Sequence, residues 1–202
     1  MPTQTTTVRI PSRFNIDRIN HAIALMEKVV ARQLKFDLSW WYGNMCSVTD
    51  KVCEQSDRNR VTEQVIVECG TSACLFGWIA TTPEFYAEGG SYVDADIIFG
   101  DMTNVGNGVS YRSAHNWFGT RDACLLVLPD DTDIEELDPE SIEAVMVAYA
   151  ADQNIERCKL ESFCYDVYGY GYPAGAPTAQ EVLDRLTEIR DTGMVTVHVN
   201  QY

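Results

Sequence analysis

The chain has 202 residues, a formal net charge of −15 and a hydrophobic fraction of 46%. That length suits one domain, and the apolar content, with ten tyrosines and four tryptophans, excludes a disordered or fibrous chain. Thirty acids against fifteen bases repel nucleic-acid phosphates and anionic lipid, and favour basic partners.

No run approaches the roughly eighteen uninterrupted apolar residues that a membrane span needs. Met1 to Thr7 are polar and lack a basic region followed by an apolar stretch, so no signal peptide is expected and a cytoplasmic location follows. The seven cysteines, Cys46, Cys53, Cys69, Cys74, Cys124, Cys158 and Cys164, are odd in number. In a chain whose core needs no staples they are expected to be reduced thiols, packed as small hydrophobes.

The first element begins at Asn15, an N-cap residue type. Ile16, Ile19, Ile23, Met26, Val30 and Leu34 recur at three- and four-residue steps, which predicts one apolar face of a helix. Phe36-Asp37-Leu38-Ser39-Trp40-Trp41 follows as an aromatic clamp over the end of that helix. From Gly43 to Arg60 the chain is polar and irregular, which predicts a surface loop. Val65-Ile66-Val67 is short and β-branched, a candidate strand.

Gly70-Thr71-Ser72 leads into an apolar helix from Ala73 to Ala80, with Thr71 or Ser72 as cap. Gly77 inside it costs about 1 kcal/mol against Ala, so close packing against a neighbour is expected there. Ser91, with Asp94 three residues on, opens a short predicted helix that Gly100 stops. Asn104 to Gly108 reads as a turn, and Ser110 and Gly119 bracket a helix around Trp117 and Phe118.

Asp138-Pro139-Glu140 is a helix start, a cap followed by proline, with Ile142, Val145, Met146 and Tyr149 on the buried face. Tyr168-Gly169-Tyr170-Gly171-Tyr172-Pro173-Ala174-Gly175 is a glycine-tyrosine loop. Tyr there gives large contact area at low entropy cost and suits protein contact. Thr178-Ala179-Gln180-Glu181 matches a capping box above the stripe Val182, Leu183, Leu186 and Ile189. Gly193 ends that helix, and Met194 to Val199 alternates like a terminal strand.

The stretch Cys69-Gly70-Thr71-Ser72-Ala73-Cys74-Leu75-Phe76-Gly77-Trp78-Ile79-Ala80 is the most distinctive in the chain. It resembles a Cys-Gly-Thr-x-x-Cys-x-x-Gly-Trp/His-Ala signature of small bacteriophage and bacterial proteins with no assigned activity. In that group an amphipathic helix and a Phe-Asp-hydrophobic segment precede the motif, as Phe36-Asp37-Leu38 does here. A capped helix closes the chain, as Thr178 to Thr192 does. The chain departs from the pattern at Leu75-Phe76, where Ile-Ala is usual, and at Ile79, which separates Trp78 from Ala80. The resemblance implies a phage origin and no mechanism.

Three readings of the two cysteines are open. In the structural one, Cys69 ends a strand, Gly70 turns, Thr71 caps, and both thiols are buried in a strand-to-helix corner, so that Cys69, Gly70, Thr71, Cys74, Gly77 and Trp78 serve architecture. A zinc site would join Cys46, Cys53, Cys69 and Cys74, although the intervals of six and four intervening residues exceed the usual knuckle spacing. A redox or nucleophilic role would use a helix N-terminus to lower a thiol pKa, without CxxC spacing or a nearby His.

Residues 130–143 hold eight acids and no base, more than half of the net charge. They read either as a solvated entry to a helix whose N-terminal dipole favours carboxylates, or as a docking surface for a basic partner, DNA mimicry being one form. Calcium binding by Asp131, Asp133 and Glu135 lacks the loop glycine, since Glu136 stands in its place.

The enzyme signals are thin. His21 lies beside the face of the first helix and His198 in the terminal strand, both in structural settings. His115, Asp122 and Cys124 are close in sequence only. No phosphate-binding Gly loop with Lys and no GxSxG elbow occurs.

The sequence therefore predicts an α+β, mainly α fold, a single compact helical domain over 1–202 with a few short strands. The expected function is a non-enzymatic phage-type protein in the host cytoplasm, docking on the basic surface of a host or defence protein. The contact would run through Asp130, Asp131, Asp133, Glu135, Glu136, Tyr168, Tyr170 and Tyr172. It needs no cofactor, metal or catalytic residue, and no direct nucleic-acid or membrane contact. The alternatives are a structural virion component, such as a capsid accessory protein, and a metal-dependent enzyme using the cysteine cluster.

Overall fold

The computed structural model describes residues 4–37, 42–55, 57–93, 96–100, 109–127, 132–133, 137–153, 167–170 and 177–201. Its elements in chain order are β1 (Gln4–Pro11), α1 (Ile16–Ala31), α2 (Met45–Cys53), α3 (Glu63–Glu68), α4 (Leu75–Ile79), α5 (Pro83–Ala87), β2 (Ser91–Val93), β3 (Asp96–Ile98) and α6 (Val109–Phe118). A 3-10 turn at Arg121–Ala123 then leads to α7 (Cys124–Val127), β4 (Thr132–Asp133), α8 (Pro139–Gln153), β5 (Val167–Tyr170), α9 (Ala179–Thr192) and β6 (Met194–Gln201). The architecture is α+β and mainly helical, as the sequence predicts.

The chain's two ends meet in the main sheet, ordered β1-β6-β5-β4 and antiparallel throughout. Strand β1 falls within and just after the opening polar residues, where the sequence predicts no element. Thr6, Val8 and Ile10 alternate inward while Thr7 and Arg9 face out, and Val195, Val197 and Val199 of β6 line the same buried side. Helix α8 packs against β1, and α1 packs against α9.

Helix α1 forms as predicted. The Asn15 side chain accepts from the Asp17 and Arg18 N–H groups, and Ile19, Ala22, Ile23, Leu25, Met26 and Val29 are buried. Ile16, expected on the buried stripe, is exposed at the first position, before the helix enters the core. One turn on, Arg18 lies 3.7 Å from the Trp117 ring centroid and forms a two-pronged ion pair with Glu88, joining α1, α5 and α6.

Helices α6, α8 and α9 also follow the sequence. Gly119 at φ 77° and Gly193 at φ 63° end α6 and α9 in left-handed backbone that suits glycine. The α9 capping box is complete: Thr178 Oγ1 accepts from the Glu181 N–H, and Glu181 accepts from the Thr178 N–H at 2.7 Å.

Three segments differ from expectation. The polar run from Gly43 to Arg60, predicted as a loop, contains α2: Asn44 caps it, and Val48 and Val52, four residues apart, are its buried face. Val65-Ile66-Val67, predicted as a strand, belongs to α3. Thr62 caps it, adjacent Val65 and Ile66 are both buried, and Val67 is 49% exposed, a pattern strand alternation does not give. The helix predicted after Ser91 is a hairpin of β2 and β3, in which Tyr92 stands opposite Ile97 and both are buried. There, cross-strand pairing outweighs the local capping signal. The predicted turn at 104–108 lies outside the described residues.

Glu63 ties α3 to α1 through Lys28, at 2.7 Å, and through Arg32. Burial alone would raise its carboxyl, but the hydrogen bonds from Lys28 and Arg32 hold it below its ordinary value. A carboxylate lowered in this way stabilises the fold above its unfolded pKa, near about 4.3, and that contribution is lost as pH falls through the folded value. Glu63→Gln is therefore expected to cost under about 1 kcal/mol in urea unfolding near neutral pH. The gap between variant and wild type should close below about pH 4; a gap that persists there would exclude the charge as its cause.

Candidate functional site

The signature around Cys69 forms a helix-to-helix corner. Cys69 is the C-cap of α3, and Gly70 follows at φ 61°, left-handed backbone that glycine accepts without strain. The next residues pass between two flanking segments. Ala73 N–H donates to Lys35 O at 3.3 Å, Asp37 N–H donates to Ala73 O at 3.3 Å, and Gly43 N–H donates to Ser72 O at 2.9 Å. Ala73 thus bridges Phe36 in parallel and Tyr42 in antiparallel fashion. Phe36, the first residue of the predicted aromatic clamp, is partly buried against the core; Leu38 to Trp41 lie outside the described residues.

Side chains complete the corner. Lys35 Nζ donates to Gly70 O at 2.6 Å, Asn44 N–H donates to Thr71 Oγ1 at 2.7 Å, and the buried Tyr42 hydroxyl donates to Gly77 O at 3.3 Å. A Cβ at Gly43 would stand 2.6 Å from Ser72 Oγ, so the close approach there requires glycine or a shift of Ser72.

Neither Thr71 nor Ser72 caps the following helix. Cys74 does: its Sγ accepts from the Gly77 N–H at 3.3 Å, and α4 starts one residue later. Gly77, where close packing is expected, is buried, and its carbonyl receives the Tyr42 hydroxyl. Trp78 is buried, as are Leu75, Phe76 and Ile79.

The thiol geometry is that of packing. Cys74 is fully buried, and burial pushes its thiol up to about 12. Cys69 is half-buried and donates to Ser47 O at 3.3 Å; burial raises its thiol, against Lys51, which pulls the other way. Neither setting lowers the thiol pKa in the way that a nucleophile or redox centre uses. Cys46 and Cys53 are exposed on α2, about 10 Å apart along its axis. Among the described residues no three His, Cys, Asp or Glu side chains gather to hold a metal ion.

Of His115, Asp122 and Cys124, which are close in sequence, Asp122 is engaged by other groups and Cys124 is buried. The buried Asp122 carboxylate accepts from Ser141 Oγ at 2.6 Å and from the Asp138 N–H at 3.0 Å. Burial raises its carboxyl, against the Ser141 hydrogen bond. Asp138 in turn accepts from Thr120 Oγ1 and from the Arg121 N–H. Burial lowers the His115 pKa and leaves the imidazole neutral. His21 lies edge-on to Trp117, with ring centroids 5.6 Å apart, and His198 Nδ1 is 3.1 Å from Thr7 Oγ1.

The acidic and tyrosine segments are neighbours in the main sheet. Strand β4 carries Asp133, β5 carries Tyr168 and Tyr170, and Asp133 stands opposite Tyr168. Across β5, Tyr168 stands opposite Asn200 and Tyr170 opposite His198. Asp130, Asp131, Glu135, Glu136 and Tyr172 lie outside the described residues, as do the calcium positions other than Asp133. Asp138, counted within the acidic run, is committed to the knot with Thr120 and Asp122. Glu140, also in that run, is 3.7 Å from Arg13. No motif in the sequence marks Thr7, His198 or Asn200; the alternation of Thr6, Val8 and Ile10 is the signal for β1, which pairs with β6 at these positions.

No family model, curated protein or solved structure matches the chain. No helix among the described residues is long and apolar enough to cross a membrane.

A thiol reagent applied near neutral pH and read site by site by peptide mass spectrometry is expected to modify Cys46 and Cys53 and to spare Cys74 and Cys124. Rapid labelling of Cys74 in the folded protein would contradict its capping role. Cys74→Ala should cost about 1–2 kcal/mol in denaturant unfolding, through the lost cap and the small void.

Proposed function

We propose that this protein is a non-enzymatic binding module of phage type, which docks on the basic surface of a host or defence protein through a joint acidic and aromatic surface. The observation that carries the reading is the pairing of β4 with β5. It sets Asp133 of the acidic run directly opposite Tyr168 of the glycine-tyrosine run, two segments far apart in sequence. The net charge of −15 adds long-range attraction for a cationic partner and speeds the encounter.

Two further points support a binding role over catalysis. Burial raises the Cys69 and Cys74 thiols, whose sulfurs are hydrogen-bonded to Ser47 O and the Gly77 N–H, and the buried Asp122 is engaged with Ser141 and Asp138. The signature residues Cys69, Gly70, Thr71, Cys74, Gly77 and Trp78 then serve the architecture of the corner.

The test is a pull-down from host lysate read by mass spectrometry at low and moderate salt. Asn or Gln replacement of Asp130, Asp131, Asp133, Glu135 and Glu136, sparing Asp138 because it holds the Asp122 knot, is expected to weaken capture at least tenfold and to flatten its salt dependence. Binding that survives the replacements untouched would end the acidic docking reading. Stoichiometric presence in purified particles would instead make the protein a virion component.

A further inference from the structure

Helices α1, α5 and α6 meet at a joint built around Trp117. The indole is buried, with the Phe85 and Phe99 ring centroids 5.6 and 5.1 Å from its own. Arg18 of α1 lies over it at 3.7 Å, and the two-pronged pair of Arg18 with Glu88 closes the joint onto the end of α5. His21, one turn on from Arg18, meets the same indole with an interplanar angle of 70°.

The charged groups around His21 are Arg18 on its own helix and Glu84 and Glu88 on α5, while α6 faces it with the neutral indole. The hydrogen bond from Arg18 holds the Glu88 carboxyl below its ordinary value, and both of its oxygens are taken by the guanidinium. His21 Nε2 is buried without a hydrogen-bond partner, and so is the Trp117 indole nitrogen, which is a donor only. A protonated imidazole carries a hydrogen on both ring nitrogens. Protonation therefore leaves a buried N–H at Nε2 with no acceptor, and adds a second positive charge beside Arg18. Burial, helped by Arg18, lowers the His21 pKa against the pull of Glu84 and Glu88.

We propose that His21 is an acid switch at this joint: its protonation parts α1 from α5 and α6 and uncovers Trp117. The inference is independent of the docking reading. An imidazole whose pKa is lower in the closed form than in the open one takes up its proton first when open. The joint is therefore fully stable above the unfolded value, about 6.5, and weakens as pH falls below it. Burial lowers His115 and His198 as well. His115 lies on α6 among Arg112, Arg121 and Asp138, and His198 lies in β6 near Arg185 and Glu188. Both act in the same pH range, so the test compares proteins that differ at His21 alone.

The experiment is hydrogen exchange of the full chain at about pH 7 and about pH 5, read by peptide mass spectrometry with intrinsic rates divided out. Wild type is compared with His21→Phe, which keeps a ring against Trp117 and takes no proton. As pH falls, wild type is expected to lose protection in α5 and α6 about threefold or more relative to the variant, with no difference in α9. His21→Gln, smaller and also neutral, gives the same comparison if the phenylalanine variant does not fold. An NMR titration of the His21 ring in wild type should have its midpoint below about 6.5. The switch is overturned by equal losses in wild type and variant, by no loss in wild type, or by a midpoint at or above the ordinary value. A difference that extends equally to α9 places the proton effect on the whole fold and overturns the joint as its seat.

Discussion

Strand β6 is the constraint on which the arrangement depends. It pairs with β1 along its whole length and, over its second half, with β5 on the other side. Thr7 and His198, 191 positions apart, meet on this strand, so the sheet forms only when the two ends of the chain are brought together. Closing so long a loop costs entropy that grows slowly with its length. The return comes from the continuous backbone ladder and from burial of Val8, Ile10, Val195, Val197 and Val199 on one side. Everything on the opposite side takes its place from that register. A one-residue slip would exchange the two faces and bury the polar rows.

The second organising contact is the passage of Ala73 between residues 35–37 and 42–44. It gives a physical meaning to a signature that otherwise invites a chemical one. Gly70 supplies left-handed backbone, Thr71 receives the Asn44 N–H, and Cys74 caps α4 with sulfur in place of the more usual oxygen. A cysteine suits that position because the site is fully buried. The thiol accepts one N–H without carrying the desolvation cost of a more polar group. Cys69 joins α3 to α2 through Ser47 O by the same logic.

Charge is distributed in a corresponding way. Several acids that meet bases do so at joints between elements: Glu63 joins α3 to α1, Glu88 joins α5 to α1, and Glu188 joins α9 to β1, whereas Glu54 and Asp191 pair locally with Lys51 and Arg190. Asp122 and Asp138 are absorbed by hydroxyls and backbone N–H groups. These carboxylates hold the fold and are not available to a partner, although composition counts them with the rest. The excess that could steer a basic partner therefore comes from the other acids.

Much of the helical part was legible in the chain itself. Asn15, Pro139, the Thr178–Glu181 box and Gly193 are local signals, and each acts through backbone groups within a turn of itself, so no distant residue can overrule it cheaply. The same local reading failed at Val65–Val67 and at Ser91, because propensity there is weaker than the tertiary contacts that choose between helix and strand. It failed for α2 because two valines four residues apart, within a polar stretch, make too faint a stripe. Of the candidate site, the sequence by itself determined the ingredients: an acidic run, a tyrosine run and a cysteine corner. Their meeting was decided only by the tertiary structure. Strand register is a relation between residues distant in the chain, and no local pattern states that Asp133 will stand opposite Tyr168.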